Sequence, residues 1–195
     1  MIYFYSANTK NLKWYKKPFS YSWWIKVFTS NERPEGMDWE DTPTHVSIGY
    51  DETLSGRKLI FESYVVQMLN PYDDPPVIFE FVKNHQALVD KDIFWQIVDA
   101  EKMKGYAFLQ LIDFIRLWLF NKILKRDPKT VWFPKSSVCS EIGYTCSLKY
   151  ANKYNLSNTR TRLLKSNSNF YHPTRLLNVL NEAENNGEGI WIKRF

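Results

Sequence analysis

Two runs with strand-like alternation, "THVSIGY" (44–50) and "RKLIFESYVVQM" (57–68), flank the short polar stretch "DETLSG". β-branched and aromatic residues on alternate positions, interrupted by a Gly-containing turn, specify an antiparallel hairpin. In the first run, alternation sets Val46, Ile48 and Tyr50 on one face and His45, Ser47 and Gly49 on the other. The first set is the core face. The second is small apart from the imidazole, which leaves space over the ring.

Pairing the hairpin about the centre of its loop sets Gly49 against Lys58, Ser47 against Ile60 and His45 against Glu62. Opposed residues share a face with Cβ atoms about 4.5–5.5 Å apart. Glu62 is then within reach of one ring nitrogen, which fixes the tautomer and leaves the other nitrogen available. A slip of one residue would send the carboxylate to the opposite face.

Around this hairpin the pattern reads as α+β. "IYFYSA" (2–7) is a first strand, and "SYSWWIKVFTS" (20–30) is a strand or, by the spacing of Trp23, Trp24, Val27 and Phe28, a short helix. The polar, proline-bearing 31–43 is a loop. "VIFEFV" (77–82) is a strand, and 91–101, 105–125 and the segment after Pro134 are helices. The run 155–169 is polar. "HPTRLLNVLNEAENN" opens a helix on Pro173, and "GIWIKRF" closes as a strand. With only seven glycines and no low-complexity tract in 195 residues, the expectation is a single domain, 1–195, with an insertion at about 70–102.

The most apolar stretch, "GYAFLQLIDFIRLWLFNKIL", carries Asp113, Arg116 and Lys122, so it reads as an amphipathic core helix rather than a membrane span. The opening "MIYFYSANTK" lacks the pattern of a secretory signal, and a cytoplasmic or other reducing compartment is expected. Cys139 and Cys146 lie seven residues apart; on one helix they cannot bridge, and they lack the pairing of a metal site. No cofactor or metal is expected.

The net charge of +5 gathers at 10–17, 122–135 and 160–165. A solvated basic surface is the plain reading; an anionic partner is the functional one. No nucleic-acid motif accompanies it, so nucleic-acid binding through 10–26 ranks last.

The chemistry centres on "SSVCSEIG" (136–143). Ser137 suits an N-cap, which puts Cys139 in a first helical turn, partly exposed, where orphan amides and the helix dipole favour a thiolate. Beside an imidazole such a thiol is an activated nucleophile, and the amides supply an oxyanion hole. Cys146, two turns deeper, reads as core packing. His85 reads as a loop residue and His172 as the residue opening a helix. The pair Trp23–Trp24 reads as core.

Taken in order, "HVSIGY", an acid in "IFES" and a late helix opening on "VCSE" resemble the circularly permuted, NlpC-type papain-like cysteine hydrolases. The opening strand "IYFYSA", the helix "YAFLQLIDFI" and "HPTRLLNVL" after the cysteine helix agree, so the resemblance spans residues 2 to 181. It implies a papain-like antiparallel sheet packed against helices. By position it also implies Cys139 as nucleophile, His45 as general base and acid, and Glu62 as the orienting partner. The implied reaction cleaves an amide or ester, in a cell-wall peptide or another peptide-like or acyl substrate, through an acyl-cysteine intermediate. A lipid-directed acyltransferase and a non-enzymatic binding or assembly module on the same fold are the alternatives.

Overall fold

The computed structural model describes residues 2–7, 9, 12–17, 20–52, 57–63, 67–70, 81–87, 90–101, 110–128, 130, 139–188 and 192–194. It is a mixed α+β structure. Strands β1 (Ile2–Ala7), β2 (His45–Glu52), β3 (Arg57–Ser63), β4 (Gln67–Asn70), β5 (Phe81–Ala87) and β6 (Ile192–Arg194) form one sheet in the order β4-β3-β2-β1-β5-β6. All its pairings are antiparallel. The helices are α1 (Tyr21–Thr29), α2 (Lys91–Glu101), α3 (Gln110–Leu124), α4 (Cys139–Lys153), α5 (Ser157–Leu163) and α6 (Pro173–Asn185). Among the described residues, no helix is long and apolar enough to cross a membrane.

β1 lies at the centre, bonded to β2 on one side and β5 on the other. Its residues Ile2 and Phe4, with Val46 and Ile48 of β2, form the floor of the core. Ile93, Phe94, Ile97 and Val98 of α2, Ile142 and Cys146 of α4, and Leu176, Leu177 and Leu180 of α6 close over them. Each fully buried aliphatic side chain of this kind stabilises the fold by about 1.5–3 kcal/mol relative to exposure. The Val46 and Ile48 face is thus the core face, as alternation requires.

Helix signals in the sequence translate directly. Ser20 caps α1, its hydroxyl accepting from the Trp23 amide at 3.3 Å. His172 caps α6, with Nδ1 accepting from the Arg175 amide at 3.2 Å and Pro173 in the first helical positions. Leu176, Leu177, Leu180 and Ala183 then recur at the 3.6-residue period and are all buried.

Several expectations are corrected. "RKLIFESYVVQM" is not one strand but β3 and β4, which pair with each other antiparallel. The strand expected at 77–82 is β5, from Phe81 to Ala87; residues 77–80 lie outside the described set. His85 is a strand residue, its Cα paired with Arg194 and Phe4, not a loop residue. The polar run 155–169 contains α5, a helix whose buried contacts come down to Thr159 and Leu163. Within residues 70–102, β5 pairs between β1 and β6 and α2 contributes to the core, and this does not bear on whether the segment is an insertion. In α3, Leu117 is buried, but Ile112, Leu119 and Ile123 face outward, so it is a core helix on one side only. The start of the region expected to hold that helix, and the Ser137 cap expected for α4, lie outside the described residues.

Candidate functional site

Cys139 is the first described residue of α4 and His45 the first residue of β2. Their relation follows from how α4 lies on the sheet. A Cβ on Gly143 would come within 2.7 Å of Val46 Cγ1 and 2.8 Å of Leu176 Cδ2. α4 therefore passes directly over residue 46, at a distance only glycine permits. Cys139 precedes Gly143 by four residues, so it lies on the same helix face, about 6 Å along the axis.

The far end of α4 gives the direction. Lys153 Nζ and the Tyr154 hydroxyl reach Asp90 Oδ2 at 2.7 and 2.6 Å. Asp90 lies three residues beyond Ala87, which pairs with Ile2, which in turn pairs with Ile48. The C-terminus of α4 thus lies toward the Ile48 end of β2. Its N-terminus, carrying Cys139, runs toward the other end, where Tyr5 pairs with His45. But α4 lies on the Val46 and Ile48 face of the sheet, whereas alternation sets the His45 side chain with Tyr5 and Ser47 on the opposite face.

The immediate surroundings differ from expectation in three ways. First, β2 and β3 pair with Gly49 against Ile60 and Tyr50 against Leu59, two residues from the register centred on the loop. An even shift preserves the face, so Glu62 stays on the side of His45 but one pair further along, nearer Ser47 than His45. The Glu62 side chain is outside the described residues.

Second, the space expected over the small-residue face is filled. The Tyr5 ring lies 5.9 Å from the His45 ring, and the Ser47 hydroxyl bonds to the Tyr5 hydroxyl at 3.3 Å. His45, Ser47 and Tyr5 are all buried. Burial pushes the imidazole down to about 3, which favours its neutral form at physiological pH.

Third, Cys139 is buried, at 3% exposure, rather than partly exposed. Its place on the helix face that Gly143 presses against the sheet is the reason. Cys146 fills the core as expected; burial pushes its thiol up to about 12. No disulfide joins the two, and both thiols are buried.

Residues that sequence reasoning passed over tie down the loop that leads into β2. Lys26 of α1, fully buried, donates to the Glu40 carbonyl at 3.0 Å and to Glu40 Oε2 at 3.2 Å. Glu40 also takes the Thr9 amide. Thr44 gives its amide to the Tyr5 carbonyl and accepts the Ala7 amide on its hydroxyl, at 2.8 and 3.0 Å. The acidic loop 31–43 is thereby tied down immediately before His45. The signal was a lysine among aromatic residues, but its carboxylate partner is fourteen positions away and nothing local marks it.

A second polar cluster joins the loop after α1 to α6. Arg175 donates to Glu32 from Nε and Nη2, at 2.8 and 2.6 Å, and to Asp127 from Nη1 and Nη2, at 2.8 and 3.1 Å. His172 Nε2 lies 3.3 Å from Glu32 Oε2, and Asn178 donates to the Glu32 carbonyl at 2.7 Å. Burial would raise the Glu32 carboxyl, but His172 and Arg175 outweigh it and hold it well below the usual carboxylate range. With Nδ1 of His172 engaged as a cap, these groups are satisfied by one another and form a latch. No family model, curated protein or solved structure matches the chain.

Proposed function

We propose that the chain is a thiol hydrolase of papain-like, circularly permuted NlpC type, cleaving an amide or ester through an acyl-cysteine intermediate. The observation that supports this reading is the course of α4, which runs its N-terminal thiol toward the end of the sheet where β2 begins on a histidine. The reading requires that imidazole to reach round the strand end from the Tyr5 face. A helix N-terminus offers unbonded amides to a thiolate and then to a tetrahedral oxyanion. A neutral imidazole is the form that can accept the thiol proton, and burial favours that form of His45. Cys139 attacks the carbonyl, His45 returns the proton to the leaving group, and water releases the acyl chain; Glu62 orients the ring from the neighbouring strand.

A non-enzymatic module on the same framework is favoured by a different observation: both Cys139 and His45 are buried. The two readings separate on one experiment. With an electrophilic thiol probe at neutral pH, an enzyme labels at Cys139 and loses the label in Cys139→Ala, which keeps its fold but not its turnover. Labelling no faster than that of Cys146 assigns the chain to the module.

A further inference from the structure

α3 is apolar on nearly every side, a composition that normally marks a helix enclosed by protein. One side is indeed enclosed: Leu117 is buried, and Trp118 packs edge-on against Phe28 of α1 with ring centres 5.8 Å apart. The other side is not. Ile112, Leu119 and Ile123 recur at i, i+7 and i+11 along one stripe, with exposures of 37, 41 and 71%. Scattered surface hydrophobics need no explanation, but an aligned stripe marks a surface that associates with something.

The charges say what. Lys122, Lys125 and Arg126, all exposed, gather at the C-terminal end of the stripe. The helix carries one acid, Asp113, which is fully buried and bonded to Arg116 Nη1 at 2.7 Å. A second copy of the chain laid on this face would bring three cations and no exposed carboxylate of α3 to answer them. Among the described residues the exposed charges at this end of the strip are cationic, the neighbouring Asp127 being paired with Arg175. An apolar strip with a cationic end is complementary to an acyl layer beneath anionic headgroups.

We infer that the outer face of α3 docks the protein on the surface of an anionic lipid bilayer, the helix lying in the interface plane with Ile112, Leu119 and Ile123 inward. This is peripheral attachment and is independent of the thiol chemistry. The exposed Trp14 and Tyr15, set among Lys13 and Lys16 just before α1, present the same aromatic and basic chemistry in the segment leading to the helix that α3 packs on.

The test is co-sedimentation of the full chain with phosphatidylcholine vesicles, with and without phosphatidylserine. Three cations near the surface correspond to a preference for the anionic vesicles on the order of 100-fold. Leu119→Ser with Ile123→Ser should abolish retention. Lys122→Gln, Lys125→Gln and Arg126→Gln together should reduce it to the level seen with phosphatidylcholine alone, without touching any apolar position. All these residues are exposed, and circular dichroism checks that the fold is kept. Absence of binding to the anionic vesicles, or equal retention of either variant, overturns the inference. So does a dimer in sedimentation that Leu119→Ser with Ile123→Ser dissociates, because the stripe is then covered by a second copy.

Discussion

Gly143 and Val46 approach so closely that no side chain fits between α4 and β2: the methyl of an alanine would stand 2.7 Å from Val46 Cγ1. Alanine favours a helix over glycine by about 1 kcal/mol, yet overpacking a core costs about 1–3 kcal/mol. Gly143→Ala should therefore be destabilising by up to about 2 kcal/mol in urea unfolding. In a Val46→Ala background the same change should cost less, with a coupling of about 1 kcal/mol. Equal costs in both backgrounds would show that the contact does not limit the approach.

The buried hydroxyl pair of Tyr5 and Ser47 gives a second expectation. Tyr5→Phe leaves the Ser47 hydroxyl unsatisfied inside the fold, a loss of about 1–2 kcal/mol. Adding Ser47→Ala should recover part of it, since both partners are then apolar. A double variant less stable than Tyr5→Phe would refute the pairing.

Acid should undo the latch at Glu32. Its folded pKa is depressed, so the stability it contributes is complete above the unfolded carboxylate pKa of about 4.3 and is lost as pH falls below that toward the folded value. Asp127, lowered in the same direction by Arg175 and Ser166 against the opposing effect of burial, acts over the same acid range. Glu32→Gln should cost about 3 kcal/mol at neutral pH and make the loss below about pH 4 shallower without removing it. A variant with the wild-type acid profile would exclude Glu32 as a source.

His45 and Cys139 are tested through the rate of alkylation. If the imidazole takes the thiol proton, His45→Gln should slow labelling of Cys139 at neutral pH by at least ~100-fold. Cys146, its thiol pushed up to about 12 by burial, serves as the internal gauge of unfolding. Slower labelling at Cys139 with no change at Cys146 supports a general base; faster labelling at both means only that the variant has loosened.

How much of this was written in the chain depends on the range of the interaction. Local signals read correctly: the helical spacing of Trp23, Trp24, Val27 and Phe28 where a strand was the alternative, the histidine and proline opening α6, and the alternation that put Val46 and Ile48 in the core. The hairpin was legible, but its register was not, because the composition of 51–56 does not fix where pairing stops, and the two-residue offset followed. β3 and β4 read as one strand because "SYVVQM" offers no glycine or proline to mark a reversal. α5 was hidden by the opposite fault: a seven-residue helix whose buried side comes down to a threonine and a leucine shows no period.

The site divides the same way. A cysteine at a helix start and a histidine at a strand start were visible as types in context. What encloses the histidine was not, because Tyr5 comes from a strand forty residues earlier. Exposure is decided by tertiary packing of this kind, and the thiol expected near solvent is enclosed where α4 lies on the sheet.

The central position of β1 bears on how the molecule assembles. Ile2 has to find Ile48 on one side and Ala87 on the other before six strands become one sheet. Neither half of that sheet can propagate from a local turn into the other, so the ordering entropy of two long chain segments is spent before β1 is locked in place. Acquisition of the native state should accordingly be slow for a chain of this size, with the step governed by topology rather than by the speed at which its helices form.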